Sequence, residues 1–159
     1  MILIGGCQVM VGYLKDPDRT ASVTVDINGK RYYRTGDKGY LDEDGFLKIV
    51  DRYSRFAKLG GEMISLGAVE KKIQDTPVLT GCDYAVTSIP DSAKGEKIIL
   101  LYQGEKDPST VISELRGSGI PPLMVPSAAF NVEKMPKLGS GKTDFTAAKK
   151  MAKELMEQK

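Results

Sequence analysis

Polar and apolar residues alternate along the first third of the chain in the way that half-buried β-strands require. Residues 23–27 alternate with a period of two, and residues 30–34 resume the pattern after Asn28-Gly29. Asn-Gly between two such runs predicts a hairpin with a type I′ turn. Short apolar runs predict further strands, and these lie at residues 2–4, 9–11 and 46–50.

The pattern changes near residue 55, where predicted helices begin to alternate with strands. A hairpin is predicted from residues 56–59 and Met63-Ile64, around Gly60-Gly61. Three helices are predicted by helical spacing and start signals, about 66–75 after Ser65, 108–117 opened by Pro108, and 145–158 after Asp144. Further strands are predicted at 82–89, 97–102 and 127–132. The order β-β-α-β-β-α-β-α predicts an α+β domain.

Residues 1–52 form too small a set of hairpins to bury a sheet face alone. The set also begins inside a strand, so we expect a β-rich tail of a larger N-terminal domain. Residues 53–159 are then a second domain, with the boundary near 51–55. The predicted fold is α+β: a short antiparallel sheet and a hairpin with packed helices, preceded by a β-hairpin remnant of the large domain.

Composition and charge exclude several classes of protein. Of the 159 residues, 41% are hydrophobic and 28% are charged, which is typical of a globular domain. The net charge of +2 gives no reason to expect a nucleic acid partner. No apolar run approaches the roughly 18 residues of a membrane span. The first residues also lack the basic start and long apolar stretch of a signal peptide.

The absence of histidine restricts the chemistry that this chain can perform. A Ser-His-Asp or Cys-His nucleophile made within the chain is excluded, and a zinc site is not expected. Cys7 and Cys82 have no metal-ligand spacing, and we expect free thiols in a reducing compartment. We therefore predict no metal site, and chemistry that depends on Lys, Arg, Asp, Glu or backbone groups.

A glycine-rich loop, Leu138-Gly139-Ser140-Gly141-Lys142, carries the most suggestive of these groups. Glycines let a ligand approach the backbone closely, and lysine offers a compact charge that suits a phosphate or carboxylate. Gly141-Lys142-Thr143 matches the end of a P-loop, but Pro136 occupies the position of its first glycine, so a P-loop is excluded. By itself the loop favours an ordinary surface turn over a ligand site.

Other short motifs precede this loop, and each has an ordinary structural interpretation. Thr35-Gly36-Asp37 is typical of a turn, Asp51-Arg52 of a surface ion pair, and Gly60-Gly61 of a plain hairpin. In this order and spacing, together with the Lys142 loop, they resemble the last third of the acyl-adenylate-forming enzymes, the acyl-CoA synthetase and luciferase superfamily. The resemblance extends over essentially the whole chain.

The resemblance implies a reaction and a role for each motif. In this superfamily a carboxylate attacks the α-phosphate of ATP with Mg²⁺, and the acyl group of the resulting acyl-AMP then passes to a thiol. Lys142 resembles the catalytic lysine that bridges carboxylate and phosphate. Asp37 and Arg52 resemble the residues that hold the nucleotide. Ser54 lies at the hinge, where the family has Asp or Lys. After the domain swings, the following residues are expected to line the thiol path: Lys58, Gly60, Gly61 and Glu62. Glu70 is expected to be structural.

A narrower resemblance involves Arg55-Phe56-Ala57-Lys58 and Ser92-Ala93-Lys94-Gly95-Glu96. These motifs are similar to the acyl-acyl carrier protein synthetase part of the bifunctional 2-acylglycerophosphoethanolamine acyltransferases. That similarity implies a fatty acid substrate, acyl carrier protein or CoA as acceptor, and a cytoplasmic location that includes the inner face of the membrane.

The family's Ser/Thr/Gly-rich phosphate loop is absent from this chain. We therefore expect a fragment that binds no cofactor and has no activity alone, completed by an upstream adenylation domain. The alternative is a stand-alone module that binds acyl carrier protein without catalysis, using the basic C-terminal helix with Lys149, Lys150 and Lys153.

Overall fold

The computed structural model describes residues 1–93 and 95–158, and the chain divides into two compact units, Met1–Ser54 and Arg55–Lys159. The assignment of residues 1–52 to the tail of a larger domain, with a hinge near 51–55, stays a prediction. Lys94, part of the motif at 92–96, is outside the described residues.

The first unit consists of two small antiparallel sheets and one helix. Its elements in chain order are β1 (Leu3–Gly5), α1 (Pro17–Val23), β2 (Thr24–Ile27), β3 (Lys30–Arg34), β4 (Asp37–Leu41) and β5 (Leu47–Arg52). The three-stranded sheet has the order β1-β3-β2, and β4 pairs with β5. Asn28 and Gly29 have φ of 51° and 72°, as the predicted type I′ turn requires.

Two predictions for this unit were wrong. Residues 9–11 form no strand, and Val11 is 88% exposed. Helix α1 was not predicted, and it includes Val23, which the alternation had placed in a strand. Its start signals are present in the sequence: Asp16 accepts a hydrogen bond from the Arg19 amide, and Pro17 is the first helical residue. These local signals fix the helix although it has no apolar periodicity.

The first unit lacks a buried core. No residue between 1 and 54 is buried, and large apolar side chains are exposed on its loops and on the β4–β5 pair. The most exposed are Val11, Leu14, Tyr40, Leu41, Phe46 and Ile49. Because burial of apolar surface is the main favourable term in folding, this unit carries little stabilisation of its own.

The second unit is an α+β structure that is built on a five-stranded sheet. Its elements are β6 (Phe56–Leu59), β7 (Glu62–Ser65), α2 (Leu66–Gln74), β8 (Tyr84–Asp91), β9 (Gly95–Tyr102), α3 (Pro108–Gly117), β10 (Ala128–Asn131) and α4 (Phe145–Glu157). The sheet order is β10-β9-β6-β7, and β8 also pairs with β9. The predicted order of strands and helices is thereby confirmed. No helix in the described part of the chain is long and apolar enough to cross a bilayer.

The expectation of an antiparallel sheet needs one correction. Strand β10 runs parallel to β9, with Ala128 opposite Ile99. A parallel neighbour needs a crossover connection, and α3 provides it between β9 and β10. Strand β9 is paired with β8 along its whole length and with β10 over its second half, from Ile99 to Tyr102.

The core lies on both faces of β8 and β9, because alternate residues of a strand point to opposite sides. One face packs against α2 and α3 and includes Val69, Val86, Leu100, Val111 and Leu115. The other face packs against α4 and includes Ala85, Ile99, Leu101, Ala148 and Ala152. The sheet is therefore sandwiched between helices, and the loop before α4 is attached to a well-packed framework.

Candidate functional site

The Lys142 loop is a tight three-residue hairpin. The Leu138 amide donates to the Lys142 carbonyl at 2.8 Å, and the Gly141 amide donates to the Leu138 carbonyl at 2.8 Å. Gly141 has φ of 81°, whereas Gly139 is not among the residues with positive φ. This is the pattern of a turn closed by a left-handed glycine. Of the two glycines singled out in the sequence, only Gly141 uses the freedom that a missing Cβ provides.

The base of this hairpin is anchored, whereas its lysine is free. Lys137 bridges to Thr143 in the backbone and forms an ion pair with Asp83. The Asp144 carboxylate then caps α4 by accepting hydrogen bonds from the Thr146 and Ala147 amides. Lys142 is exposed, and among the ion pairs found in the described residues none includes it. A fixed backbone therefore presents an uncompensated cation to solvent.

Asp37 and Arg52 are brought together by the pairing of β4 with β5. They are directly opposite in register, and Arg52 Nε lies 3.3 Å from Asp37 Oδ1. The preceding Thr35 accepts a hydrogen bond from the Asp37 amide at 3.0 Å. Arg52 is 70% exposed and Asp37 23% exposed, so the ion pair contributes at most about 1 kcal/mol to stability. The second carboxylate oxygen keeps its capacity to accept hydrogen bonds from hydroxyl groups.

Tyr33, in the strand before Asp37, has a neighbouring tyrosine. Hydrogen bonding to Tyr13 raises the pKa of Tyr33, and Arg19 lies over the Tyr13 ring, 4.2 Å from its centroid. Tyr33 therefore stays protonated near neutral pH. It adds no negative charge to the surface that carries Asp37 and Arg52.

The β6–β7 hairpin carries the residues assigned to the thiol path. Gly60 and Gly61 have φ of 57° and 97°, and Leu59 pairs with Glu62, which defines a two-residue type I′ turn. A Cβ at either glycine would meet nothing within 4 Å. Lys58 and Glu62 are exposed. The tip can therefore accept a close ligand without rearrangement.

Glu96 fixes this hairpin to the rest of the sheet in a way that the sequence did not indicate. Its Oε2 accepts the Lys58 amide hydrogen at 2.7 Å, and its Oε1 accepts the Ser88 hydroxyl at 2.8 Å. Strand β6 otherwise meets β9 through the single pair Leu59 and Gly95. The carboxylate thus adds a side-chain hydrogen bond between β9 and β6 beside this pair.

Ser54 is exposed and lies in a 3₁₀ turn, Tyr53–Arg55, as the last residue of the first unit. The structure contains one state of the chain, so the hinge assignment stays a prediction. No group of three or more His, Cys, Asp or Glu side chains suited to a metal occurs in the described residues.

A cluster around Arg55 was missed by sequence reasoning. Arg55 Nη2 lies 2.8 Å from Glu70 Oε2, and its guanidinium lies 3.6 Å from the Phe145 ring centroid. Glu70 Oε1 also accepts the Val86 amide hydrogen at 2.9 Å. Glu70 is therefore structural, as expected, through its contacts with Arg55 and Val86. The sequence did contain one signal of this role. Glu70 comes four residues after the buried Leu66 and therefore lies on the same face of α2.

The chain is 32% identical over 161 residues to probable acyl-activating enzyme 9 of Arabidopsis thaliana, covering 97% of this chain and 28% of that protein. It is 33% identical over 144 residues to a long-chain-fatty-acid–CoA ligase of Bacillus subtilis, covering 89% of this chain and 25% of that ligase. No family model matches the chain. The chain therefore spans less than a third of the length of these two relatives.

The fold also matches that of a solved structure. ATP-bound MatB from Rhodopseudomonas palustris superimposes with a TM-score of 0.76 at 23% identity, over 97% of this chain and 31% of MatB. At this identity the match defines the fold: the α+β architecture is that of the C-terminal domain of adenylate-forming enzymes.

Proposed function

Since the chain corresponds to the C-terminal part of enzymes of the acyl-CoA ligase and AMP-binding superfamily, we propose that it is part of an ATP-dependent fatty acid ligase. The complete enzyme makes acyl-AMP and then an acyl thioester. The observation that carries the proposal is Lys142, an exposed cation on a hydrogen-bonded hairpin, for which the described residues show no ion pair. ATP, when bound, supplies the adenylyl group and pyrophosphate as the leaving group.

Lys142 is the catalytic residue in this proposal. A carboxylate that approaches a phosphate brings two negative charges together, and a fixed cation at that point stabilises the developing charge. The loop suits this task because its backbone is hydrogen-bonded at both Leu138 and Gly141. The ammonium group can move on a flexible stem while the Cα position stays fixed.

Asp37 and Arg52 are proposed to hold the nucleotide. The carboxylate of Asp37 can accept hydrogen bonds from two vicinal ribose hydroxyls, and the Arg52 guanidinium lies beside it. The pair fits this role because β4 and β5 hold the half-buried Asp37 directly opposite the exposed Arg52 at the end of two paired strands. Mg²⁺ is expected to accompany the phosphates, since the described residues offer no metal cluster of their own.

The thiol step is assigned to the β6–β7 hairpin, namely Lys58, Gly60, Gly61 and Glu62. Open space around both glycines supports passage of a narrow pantetheine arm. In this proposal the second unit swings about Ser54 between the two half-reactions. Serine is a departure from the Asp or Lys of the family, and the exposure of Ser54 is compatible with rotation at this position.

The substrate is proposed to be a fatty acid, and the acceptor acyl carrier protein, with CoA as the alternative. The Bacillus subtilis relative is named as a long-chain-fatty-acid–CoA ligase, which supports the substrate class. Acyl carrier protein is favoured by the resemblance of the motifs at 55–58 and 92–96. The same resemblance is the basis for proposing a role in phospholipid metabolism and a cytoplasmic site at the inner membrane face. An acyltransferase activity would belong to another domain, and no residue of this chain supports it.

The isolated chain is proposed to be inactive, and to bind no nucleotide, until an upstream adenylation domain completes it. The first unit supports this view because none of its residues is buried and its apolar side chains are exposed. A partner domain that covers them would supply the missing core.

A stand-alone module that binds acyl carrier protein is the weaker alternative. That module would use the basic face of α4. Lys149, Lys150 and Lys153 each lie within 4.0 Å of a carboxylate, those of Glu96, Glu154 and Glu157. Their charge is largely compensated, which reduces the attraction for an acidic partner.

The test is pyrophosphate exchange by the complete enzyme, with wild type compared with Lys142→Ala. We expect exchange to fall by about 100-fold or more, because a transition-state cation is lost. Thioester formation from supplied acyl-AMP should be retained. Lys134→Ala is the matched control, since it removes another exposed lysine. Unchanged exchange in Lys142→Ala would refute the catalytic assignment and favour the binding module.

A further inference from the structure

Arg55 connects the two segments that the proposed function uses in the second unit. It is the first residue of that unit and directly precedes β6, the first strand of the thiol-path hairpin. Its guanidinium lies 3.6 Å from the centroid of Phe145, the first residue of α4. Phe145 comes three residues after Lys142. One side chain therefore contacts the structure on which the Lys142 loop is built.

The environment of Arg55 is unusual for a residue that serves only stability. Its side chain is 13% exposed and lies 2.8 Å from Glu70 Oε2. Its Nε and Nη2 atoms are nevertheless buried without a well-aligned hydrogen bond in the described part of the chain. Burying a cation with unsatisfied donors costs free energy, and an apolar side chain of similar size would avoid that cost. The geometry of the contact, rather than net stabilisation, is what distinguishes arginine here.

The planar guanidinium can combine two contacts that an aliphatic side chain cannot make together. It can stack on an aromatic face while its charge is paired with a carboxylate, and Arg55 makes both contacts. Glu70 is itself held by the Val86 amide, so the anchor reaches the central strands. The ring in turn restrains the first turn of α4, which would otherwise be a place where helices fray.

We propose that Arg55 is a positioning residue for the Lys142 loop and acts through Phe145. The restraint passes from Phe145 to Asp144, whose amide donates to the Pro136 carbonyl at 2.9 Å, and so to both ends of the hairpin. The catalytic consequence, a Lys142 ammonium held where the adenylation step needs it, rests on the function proposed above.

The first arm of the test measures the loop directly, without reference to activity. Hydrogen exchange of the peptide spanning residues 137–144 is followed by mass spectrometry in the complete protein. Arg55→Leu keeps an apolar side chain at this position. Arg55→Lys keeps the charge but removes the planar group that stacks on the Phe145 ring. We expect both variants to speed hydrogen exchange in this peptide about tenfold, because the loss of one stacked contact changes the opening equilibrium by about that factor. Arg116→Leu, an identical change at an exposed position on α3, should have no effect.

The second arm measures whether Arg55 acts through Lys142. Arg55→Leu should slow pyrophosphate exchange about tenfold and leave the ATP KM and the thioester step from supplied acyl-AMP unchanged. In a Lys142→Ala background the Arg55→Leu substitution should slow pyrophosphate exchange no further, because the ammonium group that Arg55 positions is already absent. Phe145→Leu should behave like Arg55→Leu.

The outcomes separate the two proposals. Unchanged exchange of the 137–144 peptide in folded Arg55→Leu and Arg55→Lys overturns the positioning role. An equal loss of activity with and without Lys142 overturns it as well. If the peptide responds but Lys142→Ala retains full adenylation, Arg55 still positions the loop and the proposed function of Lys142 is the one that fails.

Discussion

Gly141 is the residue on which the geometry of the Lys142 loop depends most directly. Its φ of 81° lies in the left-handed region, where a Cβ is strained whatever the surrounding space. Replacing it with alanine should cost about 1 kcal/mol in the free energy of unfolding, and should slow adenylation by the complete enzyme. Urea denaturation and pyrophosphate exchange measure the two effects.

Gly139 provides the matched control, two residues away in the same turn. Its φ is not positive, and a Cβ there would meet nothing within 4 Å. Gly139→Ala should therefore leave both stability and exchange close to wild type. Equal losses in the two variants would show that space around the loop, and not backbone conformation, is what the glycines provide.

At the scale of an element, the β6–β7 turn has two properties that can be tested separately. One is the left-handed backbone conformation of Gly60, and the other is the open space that the missing side chain leaves. Gly60 has φ of 57°, close to the 51° of Asn28 in the first hairpin of this chain. Asparagine tolerates the left-handed region far better than β-branched residues do. Gly60→Asn should therefore keep the fold, whereas Gly60→Val should destabilise the hairpin by about 1–2 kcal/mol.

The rate of the thioester step then shows whether residue 60 must lack a side chain. If a pantetheine arm passes over the turn, Gly60→Asn should slow thioester formation from supplied acyl-AMP while thermal stability stays unchanged. Asn28→Gly is the reciprocal control, in a hairpin to which no thiol role is assigned. A fully active Gly60→Asn variant would exclude close approach at this position.

Helix α3 has a cap whose charge gives stability a defined pH dependence. Hydrogen bonds from the Ser109 hydroxyl and the Thr110 amide lower the pKa of Asp107, which caps the helix. A carboxyl whose pKa is lower in the folded than in the unfolded state stabilises above the unfolded value, near pH 4. It loses that contribution as the pH falls through the folded value.

Asp107→Asn tests this linkage, because asparagine also caps helices but does not titrate. Wild type should melt at a higher temperature than Asp107→Asn at pH 7. The difference in Tm should shrink below about pH 4. Thermal melts followed by circular dichroism over pH 3–7 provide the measurement. A Tm difference that stays constant over this range would contradict a role for the carboxylate charge.

At the scale of the whole molecule, the two units differ in what holds them together. All described residues that are buried belong to the second unit, where the sheet has helices on both faces. We therefore expect residues 55–159 expressed alone to fold cooperatively, and residues 1–54 alone to stay largely unfolded. Thermal melts and amide chemical-shift dispersion distinguish the two results.

The Tm of residues 55–159 alone should equal the midpoint of the main thermal transition of the 159-residue chain. A folded 1–54 peptide would contradict the view that this unit needs an additional domain to cover its exposed apolar side chains. A second unit that unfolds without 1–54 would show that its core depends on contacts outside itself.

Sequence alone determined the features that depend on neighbouring residues. Asn28-Gly29 and Gly60-Gly61 predict their turns because their φ preferences match type I′ geometry, and both turns are present. Ser65 and Asp144 predict helix starts because their side chains accept the first free amides. The glycine-rich segment with Lys142 was recognisable for the same local reason. Helix α1 had equally local signals in Asp16 and Pro17 and was overlooked because it lacks an apolar stripe.

Tertiary structure alone decided the features that join distant residues. The parallel direction of β10 depends on a crossover through α3, and no periodicity within 128–131 encodes it. The Arg55 contacts join residues 55, 70 and 145, and the bond from Lys58 to Glu96 spans 38 positions. Side-chain pairing at such separations follows from how the helices pack on the sheet. The chemistry of Lys142 could thus be anticipated from its neighbours in sequence, whereas what holds it in position could not.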